Sequence, residues 1–300
     1  MTETTSTQAI SESSFLDRIA ENSYVQLLVT AGPILLLEGI FFLGPLFIML
    51  MIATMEMENY NLVAHYGIDN FVAGVTKVQN IAAFENTVLI AALTTVTAAI
   101  VAYPIAYYIA RFGGEYQNQL AALVIIPFWT NYVVRIYGWR IILSEDGLLN
   151  NFLSFAGIIN EPLTFVLNTR FSIWFGLVYL WLPFMILPLY STLGTIRDEY
   201  VEAAYDLGAS RWKVFKRIIF PLSVPGLVAG TTFVFIFSMG AYIVPSLLGG
   251  GIPYVGTRIQ YEFGFGADWP AGSALGSILM LIVLVALGVM LKYANMEDLF

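Results

Sequence analysis

Six stretches of this chain, about 28–54, 83–110, 118–143, 171–195, 222–248 and 272–293, are long and apolar enough to cross a bilayer. A transmembrane helix needs roughly 20 mostly apolar residues. The chain as a whole is 58% hydrophobic and 11% charged, with mean hydropathy +0.77, where a soluble domain carries about 25% charged residues. The fold class is therefore expected to be an all-α polytopic membrane protein with six transmembrane helices. Pro33, Pro45, Pro104, Pro127, Pro183, Pro188, Pro225 and Pro245 lie within those spans. Such kinks suit a bundle that opens a path, and ordinary packing also accommodates them.

Lysine and arginine set the orientation. With the N-terminus inside, the inner set is Arg18, Arg111, Arg197, Arg211, Lys213, Lys216, Arg217 and Lys292, against Lys77, Arg135, Arg140, Arg170 and Arg258. Both termini are expected on the cytoplasmic side. The acidic, Ser/Thr-rich start lacks the basic n-region and short apolar core of a signal peptide. Residues 1–12 read as disordered, and residues 1–27 as a cytoplasmic tail. Phe15, Leu16 and Ile19 suit either a weak surface helix or a solvated tail. Residues 294–300 form a second tail.

Between the fourth and fifth spans, residues 195–221 read as a two-helix hook. Thr195 and Asp198 have capping-box spacing. Ile196, Tyr200, Ala203 or Ala204, and Leu207 form an apolar stripe. Gly208 is placed to end the first helix in a left-handed conformation, and Ser210 to cap a second, basic helix running through Arg211, Lys213, Lys216 and Arg217 to Pro221. Small residues beside Glu202 allow another protein to approach closely. A surface helix with a basic anchor explains the same pattern.

The spacing of Glu202-Ala203-Ala204, Gly208, Ile218 and Pro221 resembles the signature loop of ABC importer permeases, with Phe220 where that family usually has leucine. The resemblance implies a MetI-like fold with a cytoplasmic coupling helix, and makes Glu202, Ala203, Ala204 and Gly208 the contact with a cytoplasmic ABC ATPase dimer. A P-loop requires Gly-Lys followed by Ser or Thr. The four lysines are followed by Val78, Val214, Arg217 and Tyr293, so this chain has no such site. It is expected to be a non-enzymatic subunit without its own cofactor, ATP and magnesium belonging to the partner.

Pro127-Phe128-Trp129-Thr130-Asn131-Tyr132, Pro245-Ser246-Leu247-Leu248-Gly249-Gly250 and Asp268-Trp269-Pro270 resemble spermidine/putrescine-type permeases, specifically the first of two different permease subunits. That likeness implies polyamine cargo, a second permease subunit, a periplasmic or extracellular binding protein docking near 55–80, 144–169 and 250–270, and a bacterial inner membrane location. It implies no nucleic-acid partner.

Polycations call for carboxylates and aromatic faces. Glu56, Glu58, Asp69, Glu145, Asp146, Glu161, Glu262 and Asp268 give the outer loops an acidic excess, with Glu145, Asp146, Glu262 and Asp268 as the candidate acidic mouth. General surface acidity accounts for the same excess. Glu38 lies mid-span, where a charge costs roughly 2.5–3.5 kcal/mol on insertion scales, and is a pathway candidate facing the bundle interior, or else protonated or paired with a partner helix. Trp129, Asn131, Tyr132, Tyr137, Trp181 and Tyr242 are expected along the same route, Trp139 and Trp174 in interfacial belts. Arg135 and Arg140 would repel a polycation from the lumen, so they are expected at the outer interface, at the docking surface, or paired with Glu145 or Asp146.

Alternatives remain at this level. Related permeases move opine-like amines, ferric ions, sulfate or sugars. An ion-coupled secondary carrier would favour inverted repeats, which the sequence lacks. An intramembrane enzyme is disfavoured because there is no cysteine, His65 is the single histidine, and no acid–base or metal constellation emerges.

Overall fold

The computed structural model describes residues 23–295. Residues 1–22 of the expected tail, with the surface helix around Phe15, Leu16 and Ile19, lie outside the described residues, whereas residues 23–27 are helical rather than tail. The first span comprises α1 (Ser23–Glu38), a π-turn (Gly39–Leu43) and α2 (Gly44–Ala53). Pro45 has no N–H to give to the carbonyl four residues back. The ladder widens just before it, with Gly44 N–H bonding the Gly39 carbonyl. This span lies largely outside the bundle, with Leu35, Leu36, Phe41 and Phe42 exposed, and runs beside the last helix through α2.

A hairpin follows that the all-α expectation did not include. Strands β1 (Glu56–Glu58) and β2 (Asn61–Val63) pair antiparallel, with Met57 opposite Leu62. Asn59 and Tyr60 both take positive φ, 49° and 62°, the geometry a two-residue hairpin turn demands. Next come α3 (Asp69–Thr76) and α4 (Val78–Phe112), the second span.

The third span is broken. Its two limbs, Gly114–Trp129 and Tyr132–Phe155, bend by 85°, where the sequence suggested one rod over 118–143. The first limb contains α5 (Gln117–Ile125) and a 3-10 turn carrying Pro127, the second α6 (Tyr132–Leu143) and α7 (Leu148–Phe155). Thr130 is extended, and Asn131 caps α6 by accepting from Val133 N–H at 2.8 Å.

The fourth span is α8 (Arg170–Thr195), followed by α9 (Asp198–Asp206) and α10 (Arg211–Val214). A second π-turn (Phe215–Ile219) leads without interruption into α11 (Phe220–Met239). The fifth span therefore starts before Pro221 rather than after it. That proline again follows a π-turn, which accommodates its missing donor. It also ends earlier than expected, at Met239, because Gly240 breaks the helix and α12 (Ile243–Leu248) is a separate short piece. The chain continues through α13 (Val255–Phe263) to the last span, α14 (Trp269–Asn295).

The core sits where α4, α8 and α11 meet. Ala98, Ala102 and Ala106 form a fully buried stripe on α4, and small residues of this kind let membrane helices approach closely. On α11, a Cβ at Gly226 would lie 2.7 Å from the Pro188 carbonyl oxygen, and one at Gly230 would lie 2.7 Å from Met185 Sδ. One cluster at the hook end joins the alanine stripe to Met185, Leu189, Leu193, Val214, Ile219 and Val234. Another at the opposite end joins Ile90, Ile136, Leu177, Val244, Leu248 and Tyr254.

Candidate functional site

The hook is a rigid corner. Gly208 adopts φ +76°, its N–H bonding the Tyr205 carbonyl at 2.8 Å while Ala209 N–H bonds Ala204 at 3.0 Å. Ser210 caps α10 through Lys213 N–H at 3.4 Å. The Thr195–Asp198 capping box does not form: Thr195 Oγ1 donates back to the Thr192 carbonyl, and α9 has Arg197 at its N-cap position with no side-chain cap. The expected stripe divides. Ile196 and Val201 pack on the hook-end core, Tyr200, Ala203 and Leu207 line an open groove of about 840 Å³ against Arg217, Ile218 and Leu222, and Ala204 touches both. Glu202, Ala203 and Gly208 are exposed and Ala204 is half-buried.

One residue that the sequence reading counted only as a charge proves central. Arg111, in the last turn of α4, donates to the Ile196 carbonyl at 2.8 Å and meets Asp198 Oδ1 at 2.8 Å. It fastens the start of the hook to the second span. A cation at a helix C-terminus was the available signal, but its partners lie some 85 residues away.

A second candidate region lies where the broken third span meets the break after α11. Tyr132, Trp181, Phe237 and Tyr242 line a cavity of about 370 Å³. An adjoining cavity of about 330 Å³ shares Tyr132 and Trp181 and adds Phe128, Arg135 and Phe184. The rings connect: Phe128 meets Phe184 edge-on at 5.1 Å, Phe184 meets Phe237 at 4.9 Å, and Phe237 meets Trp181 at 5.0 Å. Trp181 Nε1 is buried without a hydrogen-bond partner.

Of the expected pathway residues, the structure thus gathers Asn131, Tyr132, Trp181 and Tyr242, Asn131 lining the second cavity while its side chain caps α6. Trp129 is 87% exposed, and Tyr137 is exposed on α6 away from these cavities. Glu38, expected to face the bundle interior, is exposed on this chain's own surface at the first π-turn.

The four acids of the expected mouth part company. Glu145 and Asp146 are exposed beside a cavity of about 500 Å³ lined also by Thr164 and Thr169. Glu262 is instead buried and paired with Arg258 at 2.6 Å, and Asp268 accepts from Ala271 N–H to cap α14. Burial raises the Glu262 carboxyl above its ordinary value; Arg258 opposes the shift, Asp268 adds to it and Lys77 opposes it.

Of the three placements expected for the arginines, pairing with Glu145 or Asp146 does not occur among the described residues. Arg140 donates to the Leu247 carbonyl at 3.0 Å, while Arg135 lies over aromatic rings. Trp139 packs edge-on against Phe175 at 4.7 Å, and Trp174 bonds Thr97 Oγ1 at 3.2 Å. Both tie helices together within the bundle.

Residues 102–294 match the family described as binding-protein-dependent transport system inner membrane component. The chain is 40% identical over 209 residues to the spermidine/putrescine transport system permease protein PotB of Haemophilus influenzae, covering 69% of this chain and 72% of that one. Its fold matches a subunit of a bacterial alginate ABC transporter, crystallised in complex with an alginate pentasaccharide-bound periplasmic protein. The TM-score is 0.66 at 20% identity, covering 91% of this chain and 93% of that one. It also matches the inward-facing MetNI methionine ABC transporter, with TM-score 0.55 and 15% identity over 72% and 95% of the respective chains.

Proposed function

The chain belongs to the family of binding-protein-dependent transport system inner membrane components, and on that premise we propose that it carries spermidine, putrescine or a related organic cation inward as one permease of an ABC importer. It is a multi-pass membrane protein, and ATP is hydrolysed by separate subunits. Transport of polyamines is the named activity of its PotB relative, and the run of aromatic faces around Tyr132, Trp181 and Tyr242 suits an organic cation.

The observation that carries the coupling role is the hook's two-sidedness. Its inner side packs on the core that joins α4, α8 and α11, through buried Ile196 and half-buried Val201 and Ala204. Its outer side offers Glu202, Ala203 and Gly208. A push on the outer side is passed to three spans at once, because packed interiors yield as units. The unbroken run from α10 into α11 leaves no slack joint on the fifth span.

In this reading a cytoplasmic ATPase dimer docks on the hook, with Ala204 as its inner support. A second, different permease subunit completes the route. A periplasmic binding protein delivers cargo to the end carrying the hairpin, α7 and α13, and both termini face the cytoplasm. Proteoliposomes containing the whole importer test it. Wild type takes up spermidine and putrescine on ATP addition, and Ala203→Trp with Gly208→Trp abolishes that uptake. Undiminished uptake by the variant removes the coupling assignment, and uptake of sulfate or a sugar with neither amine removes the cargo assignment.

A further inference from the structure

The aromatic cavity already holds a cation of the protein's own. Arg135, one turn into α6, sets its guanidinium carbon 5.5 Å from the Phe128 ring centre and 5.9 Å from that of Tyr179. No carboxylate pairs with it among the described residues, and its Nε is buried with no hydrogen-bond partner. The residue as a whole is half-buried, and no ion pair accounts for where its guanidinium sits. Here ring faces hold it, and another cation can take the same faces.

The setting adds a means of release. Phe128 belongs to the first limb of the third span and Arg135 to the second, and the extended residue Thr130 with the cap Asn131 forms the joint between them. A change in the bend at that joint changes the distance between the ring and the cation. Phe128 also begins the series of rings that runs through Phe184 and Phe237 to Trp181.

We propose that Arg135 is a charge gate and valence filter on the translocation route: its guanidinium occupies the aromatic faces that a cargo ammonium would use, and it leaves them when cargo passes. The inference rests on the organic-cation reading above. It makes Arg135 a specificity-determining residue whose effect grows with cargo charge. In a water-filled passage, unit charges about 7 Å apart repel enough to change a rate about threefold for each cargo charge.

The test uses the whole importer in proteoliposomes with putrescine, spermidine and spermine, which carry about two, three and four charges at neutral pH. Arg135→Gln and Arg135→Met, which remove the charge, are expected to raise kcat/KM by a factor that increases about threefold from each amine to the next, and Arg135→Lys to keep the wild-type order. A uniform change across the three amines, or none, overturns the proposal. Failure of both neutral variants to assemble makes Arg135 structural and also overturns it. A wild-type importer that takes up none of the amines removes the cargo reading first, and this inference with it.

Discussion

Replacing Arg111 by alanine removes both contacts that anchor the hook, and replacing Asp198 removes only one of them. The guanidinium side chain is 12% exposed and that of Asp198 is 79% exposed, although both of its contacts measure 2.8 Å. A hydrogen bond from a charged donor contributes about 1.5–3 kcal/mol, whereas an ion pair to so exposed a carboxylate contributes only about 0.2–1 kcal/mol. Ile196 is buried, so losing the donor strands its carbonyl. Arg111→Ala is therefore expected to cost about 2–4 kcal/mol locally, and Asp198→Ala about 0.2–1 kcal/mol. The loss concerns the hook, so it appears as local opening. Hydrogen exchange in nanodiscs reads it: amides across 196–209 exchange about 30- to 700-fold faster in Arg111→Ala, those of the α8 core are unchanged, and ATP-driven uptake falls. Equal acceleration by Asp198→Ala would refute the reasoning, since the exposed ion pair would then carry the clamp.

Gly208→Ala meets no atom within 4 Å, so its cost is backbone strain alone, about 1–2 kcal/mol; exchange at 205–210 should quicken, with Gly208→Asn much closer to wild type. Gly226→Ala drives a Cβ to 2.5 Å from Thr192 Oγ1 and 2.7 Å from the Pro188 carbonyl, and should lower the melting temperature of the purified protein by the equivalent of about 1–3 kcal/mol. Adding Thr192→Ala should not restore it, because the carbonyl cannot move aside. Glu262 titrates above its ordinary 4.5 through burial, so the folded state binds that proton more tightly than the unfolded one. The contribution of this group to stability is then greatest below 4.5 and declines as pH rises through the raised interval. Glu262→Gln should remove that decline in thermal melts at stepped pH, and a decline of equal slope in the variant would contradict the assignment.

Hydropathy revealed the spans because crossing lipid is a property of each segment by itself. The hook's corner was readable for a similar reason: Gly208 and Ser210 act within a turn of their own positions. What escaped was non-local or turned on proline context. Pro221 read as a terminator, yet a π-turn absorbs its missing donor and carries the helix on into the fifth span. The end of that span at Gly240 was hidden inside an apolar run that continues through α12. Asn59-Tyr60 is a weak hairpin signal beside Asn-Gly, so β1 and β2 went unseen. At the candidate sites, Tyr132, Trp181 and Tyr242 were recognisable as residue types. The capping duties of Asn131 and Asp268, and the ring-held state of Arg135, depend on neighbours that only the fold brings together.

Because the chain contains no cysteine, one introduced thiol reports on one position. In the assembled importer, a short thiol-reactive cross-linker on Ala203→Cys, with Val201→Cys as the core-facing control, asks directly whether ATP-driven force enters through the hook. The expected result is a cross-link from position 203 to the ATPase subunit, formed with the cytoplasmic face accessible, and almost none from position 201. A position 203 that reacts only from the outer face of sealed vesicles, or that never joins the ATPase, would contradict the account.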